Sequence, residues 1–396
     1  MQWPNEPWPL PALCYLYPGM KYFMIAGEAS GDLHGSNLVR GIKQLDKGCT
    51  VQCWGGEEMA FAGALVLKHY RELAFMGFVE VVKNLPAILR KLKQCKADIL
   101  AYKPDVLVLI DYPGFNLRIA KWAKEQGIRV VYYISPQVWA WKAGRVETIR
   151  KVVDLMLVIL PFEEAFYRQR DYKVTYVGHP LTEVVDAFRE EGKLVPLSDK
   201  PIVAVLPGSR KQEVATKLPI MLTAADQFPE YQFIVAKAPS LNDAFYAPFL
   251  EGRANIAAVR GQTYALLSQA EAALVTSGTA TLETALFRVP QVVCYKGSPI
   301  SYAIAKRLVK IKYISLVNLI MDRPVVKELI QGALTPQSVK EELSRLLDDK
   351  VRNKMMADYD ALYDLLKKGG SASQQAAMAI MAHVQANPVK RASQQE

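Results

Sequence analysis

Two short turns in the second half of the chain carry residues suited to binding an anion. In the first turn, the apolar run 202–206 breaks at Pro207-Gly208 and continues through Arg210 into a polar helical pattern. Such a strand–turn–helix unit presents unpaired N–H groups and the positive end of a helix dipole to a ligand. Arg210 adds a permanent cation whose forked donors match phosphate oxygens. The predicted phosphate site comprises Gly208, Ser209, Arg210 and Glu213.

The second turn has the same organisation. An apolar run, 272–276, leads through Ser277-Gly278-Thr279 into another helical pattern. Two anion-binding turns in one half of the chain suggest that a nucleotide diphosphate binds there. Glu283 lies in the helix after the second turn, where its carboxylate could accept both hydroxyls of a ribose or could be an ordinary surface group. The predicted nucleotide site comprises the first turn together with Ser277, Gly278, Thr279, Glu283 and Asn318.

A third chemical candidate is a single carboxylate in the first half of the chain. The apolar run 106–110 delivers Asp111 at its carboxyl end, the position where open α/β sheets bind ligands. A carboxylate there could act as the general base for a sugar hydroxyl, or it could be a cap or turn residue. Pro113-Gly114 turns the chain, and Asn116 is predicted to cap the helix 117–126.

The loop after the first apolar run, 22–26, is rich in glycine and in polar residues. Its glycine spacing is not the dinucleotide-binding fingerprint, which needs G-x-G-x-x-G and a later acid. The loop is either a tight turn with glycines for close packing or a ligand-facing segment at the end of the first strand. Its candidate residues are Gly27, Glu28, Ser30, Gly31 and Asp32, with His34 nearby.

Two tryptophans, Trp139 and Trp141, lie in the predicted loop 135–145. Large aromatic side chains usually pack in a core, which is one interpretation of this pair. The alternative is a wall that stacks on a sugar or contacts an acyl chain. Trp139 is therefore included among the acceptor-side candidates.

Apolar runs alternate with helical patterns along most of the chain, which predicts an α/β protein with two doubly wound parallel sheets and a helical C-terminal segment. The polar, aperiodic stretch 188–200 separates the two sets of alternating elements. The predicted domains are an extension 1–19 with many prolines, an acceptor-side and membrane-facing lobe 20–187, a linker 188–200, a donor-binding lobe 201–368, and a C-terminal helix and tail 369–396.

Composition restricts the partners. The chain has 396 residues, 51% hydrophobic and 22% charged, and a formal net charge of +10. It has the composition of a globular protein, and no apolar run reaches the roughly 18 residues that a membrane span needs. The positive charge favours anionic partners, but neither zinc-finger spacing nor an RNA-binding aromatic motif is present, so nucleic acid is not expected. The five cysteines are scattered, which predicts reduced, buried thiols rather than a zinc site.

Two stretches, 75–102 and 298–321, combine apolar residues with several lysines and arginines. Each could be an ordinary segment of a domain with a solvated basic face. Alternatively, each could lie on an anionic bilayer or accept a lipid chain.

Eight motifs, in the same order along residues 21–329, are similar to those of lipid-A-disaccharide synthases. They are Ala26-Gly-Glu-Ala-Ser-Gly-Asp32, Met76-Gly-Phe-Val-Glu80, Ile110-Asp111-x-Pro-x-Phe-Asn116, Ser135-Pro-Gln-Val-Trp-Ala-Trp141, Leu160-Pro-Phe-Glu-Glu-Ala-Phe166, Leu206-Pro-Gly-Ser-Arg210, Ser277-Gly-Thr-Ala-Thr-Leu-Glu283 and Ala305-Lys-Arg-Leu-Val309. Any one of them is a weak signal, but eight in register are a strong one.

The resemblance implies a GT-B glycosyltransferase with two Rossmann-like lobes facing a cleft. Such an enzyme joins UDP-2,3-diacylglucosamine to 2,3-diacylglucosamine 1-phosphate with inversion, releasing UDP, and is peripheral to the cytoplasmic face of the bacterial inner membrane. The resemblance makes Asp111 the base and places Arg210, Ser277, Gly278, Thr279 and Glu283 in the UDP site. One departure is Gly114, where the family often has an acid.

The predicted reaction is therefore a single displacement that uses neither a metal nor a cofactor, since no D-x-D-like carboxylate pair occurs in a site loop. Other functions stay open on the sequence alone: another GT-B transferase, a UDP-sugar epimerase, or a non-catalytic protein that binds UDP-sugar or lipid. A nicotinamide-dependent dehydrogenase is not expected, because the dinucleotide fingerprint is absent. The predicted partners are the two diacylated glucosamine substrates and an anionic membrane surface, and a homo-oligomer is an open alternative.

Overall fold

The computed structural model describes residues 19–73, 85–141, 143–192, 194–298, 302, 307, 311–367 and 370–387. These residues form two compact units, each built on one parallel sheet. The first unit contains the described residues of Met1–Ile159, Glu163–Gly178 and Gly369–Glu396. The second contains those of Leu160–Phe162 and His179–Lys368.

The sheet of the first unit has the strand order β3-β2-β1-β4-β5-β6-β7, with every listed pair parallel. Its central strands are fully buried because helices cover both faces, which explains their uninterrupted apolar sequences. The strands are β1 Lys21–Ala26, β2 Thr50–Gly55, β3 Leu65–His69, β4 Val106–Ile110, β5 Val130–Tyr133, β6 Leu155–Val158 and β7 Thr175–Tyr176.

Helices of this unit follow most of its strands along the chain. They are α1 Ala29–Leu45, α2 Glu57–Phe61, α3 Leu85–Tyr102, α4 Pro113–Glu125, α5 Val138–Trp141, α6 Val146–Val152, α7 Glu163–Arg168 and α16 Ala372–Ala386. Short 3₁₀ turns occupy Tyr70–Glu72 and Ala143–Arg145.

The sheet of the second unit has the order β10-β9-β8-β11-β12-β13 and is also parallel. Its strands are β8 Ile202–Leu206, β9 Gln232–Lys237, β10 Ile256–Arg260, β11 Ala270–Thr276, β12 Gln291–Tyr295 and β13 Lys327–Ile330. Its helices are α8 Leu181–Glu191, α9 Lys211–Leu222, α10 Asp243–Leu250, α11 Thr263–Leu267, α12 Thr279–Leu286, α13 Leu316–Met321, α14 Pro336–Leu346 and α15 Asp349–Leu366, with 3₁₀ turns at Thr223–Gln227 and Gln331–Ala333.

Each sheet reverses its strand order at one point. In the first unit β1 lies beside β4, and Ala26 pairs with Ile110 at their carboxyl ends. In the second unit β8 lies beside β11, and Leu206 pairs with Val275. Crossovers leave in opposite directions from such a point, so the two carboxyl ends open into a crevice where ligands bind.

The predicted doubly wound parallel sheets are confirmed by this topology. The sequence analysis did not identify two edge strands, β3 and β13. Both are short and only partly buried, and Leu65 at the start of β3 is 58% exposed. An edge strand packs little apolar surface, so its sequence lacks the continuous apolar run that marked the central strands.

The boundaries of the two units differ from the predicted lobes 20–187 and 201–368. Helix α8 crosses the proposed end of the first lobe at residue 187, yet it belongs to the second unit. Arg189 donates a 2.6 Å hydrogen bond to the Leu286 carbonyl, and Asp186 accepts from Tyr363 at 2.8 Å and from Lys367 at 2.8 Å. These contacts hold α8, whose last four residues lie in the predicted linker 188–200, against other elements of the second unit.

The C-terminal helix α16 returns to the first unit. Ala376, Ala377 and Ile380 are buried in the same cluster as Met24 of β1. A Cβ atom on Gly41 of α1 would lie 3.1 Å from the Ser373 carbonyl oxygen, so glycine permits this close approach of α1 and α16. The last helix is therefore part of the first unit's core.

Several predictions fall outside the described residues. These include residues 1–18 of the predicted extension 1–19, the motif 76–80, and most of residues 299–310 within the predicted basic stretch 298–321. Of the predicted helical region 75–102, the described part is helical from Leu85 to Tyr102. Among the described residues, no helix has both the length and the apolar character needed to cross a bilayer. The described cysteines are buried free thiols, as predicted: Cys49, Cys53, Cys95 and Cys294.

We predict that Ile380→Ala lowers the free energy of unfolding of the first unit by ~2–5 kcal/mol, since it removes a fully buried side chain from a packed cluster. Urea unfolding followed by circular dichroism measures the change. Gln385→Ala, at an exposed position of the same helix, is the matched control and should change stability by less than about 0.5 kcal/mol. Equal effects of the two substitutions would contradict the docking of α16 in this core.

Candidate active site

The backbone of Asp111 is held in an unusual conformation at the end of β4. Asp111 and Tyr112 have φ values of 43° and 48°, in the left-handed region that non-glycine residues rarely adopt. Three hydrogen bonds hold this conformation in Asp111: its N–H donates to the Tyr133 carbonyl at 3.0 Å, and its carbonyl accepts from Tyr132 Oη at 2.6 Å and Asn116 Nδ2 at 2.8 Å. Strained residues of this kind cluster at functional sites.

Asn116 has a different role from the predicted helix cap. Helix α4 begins at Pro113 with Tyr112 as its N-cap residue, so Asn116 lies inside the first turn. Its side chain is fully buried and donates to the carbonyls of both Ile110 and Asp111. The amide therefore fixes the end of β4, and the prediction of a capping role was wrong because the helix starts four residues earlier than expected.

Gly27, at the end of β1, packs against the ring of Tyr112. A Cβ atom on Gly27 would lie 2.3 Å from Cγ of Tyr112, which no real side chain could tolerate. The Tyr112 hydroxyl donates to the Leu73 carbonyl at 3.0 Å, so the ring is held at both ends. Glycine is required here for packing, as one of the two sequence interpretations of this loop proposed.

The surroundings of Asp111 raise its pKa above that of a solvated aspartate. Burial and the neighbouring charge of Glu28 raise the pKa of Asp111 to about 6, although the backbone N–H of Tyr112 acts in the opposite direction. The carboxylate is ionised at neutral pH but binds a proton far more readily than a solvated aspartate. A general base needs this balance, because its efficiency is greatest when its pKa is close to the working pH.

Asp32 has a structural position. Its side chain is 2% exposed and accepts hydrogen bonds from the N–H groups of Gly56, Glu58 and Met59 at 2.6, 3.1 and 3.3 Å. These donors are the unpaired amides at the start of α2, so Asp32 caps that helix from outside it. Asp32 therefore connects the segment that follows β1 to the segment that follows β2.

The remaining acceptor-side candidates differ in exposure. Glu28 and Ser30 are exposed at the N-terminus of α1, whereas Gly31 is buried beside Ala26. Trp139 is half-buried in α5. Of these residues, Glu28 carries a charge that helps to raise the pKa of Asp111. The structure thus brings Gly27, Glu28 and Asp111 together at the reversal point of the first sheet.

In the second unit, Gly208 turns the chain directly after β8. Its φ of 118° is strained for any residue with a side chain, and a Cβ atom would lie 2.7 Å from Glu213 Oε2. Ser209 is exposed, and its carbonyl accepts from Ser240 Oγ at 3.3 Å. Arg210 is the N-cap residue of α9, and its side chain is 77% exposed.

Glu213 lies between two cations. One carboxylate oxygen is 3.7 Å from Arg210 Nη1, and the other is 3.9 Å from Lys217 Nζ. Lys217, which is 2% exposed, was not among the predicted site residues. A signal for it exists: Lys217 falls three residues after Val214 and four before Met221, on the apolar face of α9, where a lysine must bury its charge.

The second turn directly follows β11. Ser277 Oγ donates to the Ile314 carbonyl at 2.9 Å, and Gly278, with a φ of 136°, is the N-cap residue of α12. Thr279 is exposed at the first position of that helix. The turn thus brings the start of α12 next to the first turn, since β8 and β11 are neighbours.

Glu283 is half-buried in α12, one turn after Thr279. Tyr264 Oη donates a 2.8 Å hydrogen bond to Glu283 Oε1. Burial raises the pKa of the Glu283 carboxyl, and this hydrogen bond partly opposes the shift. Glu283 is therefore not a plain surface residue, and its carboxylate is oriented by Tyr264.

Asn318 supports a loop. It is 1% exposed, its Oδ1 accepts from the N–H groups of Val325 and Val326 at 2.8 and 2.9 Å, and its Nδ2 donates to the Glu328 carboxylate at 3.0 Å. Glu328 in turn accepts from the N–H of Ile314, whose carbonyl holds Ser277. Asn318 is thus connected to Ser277 of the second turn through hydrogen bonds of Glu328 and Ile314.

Residues 22–381 match the protein family described as Lipid-A-disaccharide synthetase. Lipid-A-disaccharide synthases of Trichlorobacter lovleyi and Syntrophus aciditrophicus are both 41% identical to this chain. The first match covers 84% of this chain and 89% of the relative, and the second covers 90% and 96%.

The chain belongs to the lipid-A-disaccharide synthase family.

Membership of the lipid-A-disaccharide synthase family confirms the predicted family and the predicted enzyme class, a hexosyltransferase. Solved structures support the predicted GT-B-like fold. A UDP-GlcNAc 2-epimerase from Neisseria meningitidis bound to UDP-GlcNAc aligns with a TM-score of 0.65 at 13% identity, covering 92% of this chain and all of that one. The calicheamicin glycosyltransferase CalG4 aligns with a TM-score of 0.59 at 19% identity, covering 94% and 100%. At these identities the likeness concerns the fold alone.

Gly114 is the position at which the sequence resemblance led us to expect an acid in related chains. It is exposed in the first turn of α4, and a Cβ atom there would meet nothing within 4 Å. Packing therefore does not require glycine at this position. In this chain the carboxylate at the end of β4 is Asp111.

We predict that Asp111→Asn raises the free energy of unfolding at pH 8 by about 1–2 kcal/mol. The physical reason is linkage: the folded pKa of Asp111, about 6, lies above the ordinary value of 3.8. Protonation of Asp111 contributes fully to the free energy of unfolding of the wild type below pH 3.8. This contribution is lost as the pH rises through 6, the pKa of the folded state. Urea unfolding at pH 5 and pH 8 measures the difference, which should shrink at the lower pH.

The exposed Asp364, replaced by Asn, is the control for a general charge effect. It should leave stability unchanged at both pH values. An Asp111→Asn variant that is less stable than the wild type at pH 8 would show that the native carboxylate is stabilising.

Proposed function

We propose that this glycosyltransferase of lipid A biosynthesis transfers 2,3-diacylglucosamine from UDP to 2,3-diacylglucosamine 1-phosphate. The products are the β-1,6-linked disaccharide 1-phosphate and UDP. The proposal rests on Asp111 at the reversal point of the first sheet. Its backbone is in the left-handed region and is held by hydrogen bonds, and the pKa of its carboxyl group is about 6.

Asp111 is the proposed general base. Its carboxylate takes the proton from the 6-hydroxyl of the acceptor as that oxygen attacks the anomeric carbon of the donor. The new bond joins the acceptor oxygen to this carbon, and the bond from the carbon to the β-phosphate oxygen of UDP breaks with inversion. The transition state has oxocarbenium character, as in glycoside hydrolysis. The three hydrogen bonds to the backbone of Asp111 keep the carboxylate's position while its charge changes.

The two turns of the second unit are the proposed diphosphate site. The departing UDP gains negative charge, which N–H groups at a helix N-terminus and a forked arginine stabilise. Gly208, Ser209 and Arg210 precede α9. Ser277 and Gly278 precede α12, and Thr279 is the first residue of that helix. Because β8 and β11 pair in parallel, both sets of donors lie at one edge of the sheet.

Glu283 is the proposed ribose ligand. Its carboxylate is held by Tyr264 in the helix that follows the second turn, so it is pre-oriented before the nucleotide binds. A carboxylate that accepts from vicinal hydroxyls gains charge-assisted hydrogen bonds, which are stronger than neutral ones. Asn318 has a supporting role in this proposal, because its polar atoms are used within its own loop.

On the acceptor side, we assign contact roles to the exposed Glu28 and Ser30 and to Trp139. The half-buried indole of Trp139 presents an aromatic surface suited to a sugar ring or an acyl chain. Gly27, Gly31 and Asp32 act through the loop: Gly27 allows close packing against Tyr112, Gly31 is buried beside Ala26, and Asp32 caps α2.

The proposed location is the cytoplasmic face of the bacterial inner membrane, with the protein bound peripherally. The net charge of +10 supports attraction to an anionic surface. Helix α3 also combines exposed apolar and cationic side chains on one face. Leu89 and Leu100 are 56% and 49% exposed, and Arg90 and Lys93 are exposed beside them. Such a face is typical of helices that lie on a bilayer.

The proposal is tested by incubating the purified chain with UDP-2,3-diacylglucosamine and 2,3-diacylglucosamine 1-phosphate. We expect free UDP and a disaccharide 1-phosphate in equal amounts. An epimerase, the alternative that the fold allows, would yield an isomerised sugar nucleotide without using the acceptor. A binding protein would yield no product at all.

We predict that Asp111→Asn lowers kcat on the order of 10³-fold above about pH 6, because the asparagine amide cannot take the acceptor's proton. Direct titration with UDP should give the affinity of the wild type, because the turns of the second unit are unchanged. In the wild type, kcat/KM should fall tenfold per pH unit below about 6, as Asp111 becomes protonated. Near-normal turnover of Asp111→Asn would refute the assignment of the base.

We predict that Arg210→Ala lowers kcat/KM for the donor on the order of 10²-fold, since it removes a cation facing the leaving diphosphate. Steady-state kinetics with varied donor measure the loss, and KM for the acceptor should stay within about twofold. Arg150→Ala is the matched control, because Arg150 forms an exposed pair with Glu147 in the first unit. A loss of similar size in both variants would exclude a specific role for Arg210.

A further inference from the structure

Lys217 is a buried cation that the proposed mechanism does not use. It lies in α9 with a side chain that is 2% exposed, among Val214, Leu218 and Met221. Burying an ammonium group is costly unless it is paired or hydrogen-bonded. Burial lowers the pKa of Lys217, and the nearby Glu213 carboxylate opposes only part of that shift. A lysine in such a position requires partners that compensate for its lost hydration.

The partners of Lys217 belong to the two turns. Its Nζ donates a hydrogen bond to Thr276 Oγ1, the last residue of β11 and the one directly before Ser277. The same nitrogen lies 3.9 Å from Glu213 Oε2. One ammonium group therefore touches a residue at the start of the second turn and a carboxylate that packs on the first turn.

Glu213 carries the contact to the first turn. Its carboxylate fills the space where Gly208 would have a Cβ atom, 2.7 Å from that position. Its other oxygen lies 3.7 Å from Arg210 Nη1. Without a buried cation behind it, this carboxylate would place a full negative charge against the turn that is expected to receive phosphate oxygens.

We infer that Lys217 is a positioning residue for the diphosphate site: its ammonium joins the Gly208 turn to the Ser277 turn and neutralises Glu213. The inference deepens the proposed function and rests on it for the identity of the ligand, a nucleoside diphosphate. With Lys217 in place, Arg210, Glu213 and Lys217 together carry one net positive charge. With a neutral residue in its place, Arg210 and Glu213 cancel, and the carboxylate repels the incoming phosphates.

The test combines direct UDP binding with donor kinetics. In Lys217→Met we expect the Kd for UDP and the KM for the donor to rise about tenfold, the size of a coupling between contacting charges. The kcat should fall as well, because the leaving UDP gains negative charge at the same site in the transition state. Lys350→Met, at an exposed position of α15, is the matched control and should bind UDP as the wild type does.

The double variant Lys217→Met/Glu213→Gln separates the charge effect from packing. Removing the carboxylate's charge should return the Kd for UDP to within about threefold of the wild type. A purely structural role of Lys217 predicts no such recovery, because Glu213→Gln cannot refill the space behind the turn. Should Lys217→Met fail to fold, Glu213→Gln alone tests the pair. It should bind UDP at least as tightly as the wild type, and a tenfold weaker Kd would overturn the inference.

The outcomes separate this inference from the proposed reaction. If the wild type makes the disaccharide but Lys217→Met binds UDP normally, the inference is overturned and the proposed function stands. If the wild type makes no disaccharide but the Kd values for UDP follow the expected pattern, the reaction is wrong and the role of Lys217 stands. A wild type that does not bind UDP would overturn both.

Discussion

The reversal of strand order in each parallel sheet is the constraint that positions the candidate residues of that unit. Helices that leave two neighbouring strands in opposite directions cannot cover the space above both carboxyl ends. In the first unit this space lies beyond Ala26 and Ile110, and in the second it lies beyond Leu206 and Val275. The candidate residues Gly27, Asp111, Gly208 and Ser277 come immediately after or close to these strand ends.

Each unit also contains a charged side chain that is partly or fully buried, and the two side chains differ in whether other groups compensate for the lost hydration. Asp111 loses hydration and faces Glu28, so its pKa rises to about 6 and it becomes a poised acid–base group. Lys217 loses hydration too, but it gains Thr276 and the Glu213 carboxylate as partners. An uncompensated charge tends toward reactivity, whereas a compensated charge stabilises the geometry around it.

Much of the fold could be predicted, because buried parallel strands leave an uninterrupted apolar signature such as Val106–Ile110. The edge strand β3 left no such signature, since an exposed edge tolerates almost any residue. The site residues follow the same division. Asp111 and Arg210 could be found because they directly follow strong strand signals. Lys217 was missed because its importance comes from Thr276, which is 59 residues away along the chain.

The sequence by itself determined the alternation of strands and helices, the two glycine turns, and the family to which the chain belongs. These properties are local or appear as motifs, so they need no knowledge of long-range contacts. Only the tertiary structure decided that β1 pairs with β4 and β8 with β11, because strand order depends on how distant segments pack. It also decided that Asp32 and Asn116 serve the backbone, since a polar side chain's role depends on which buried donors and acceptors surround it.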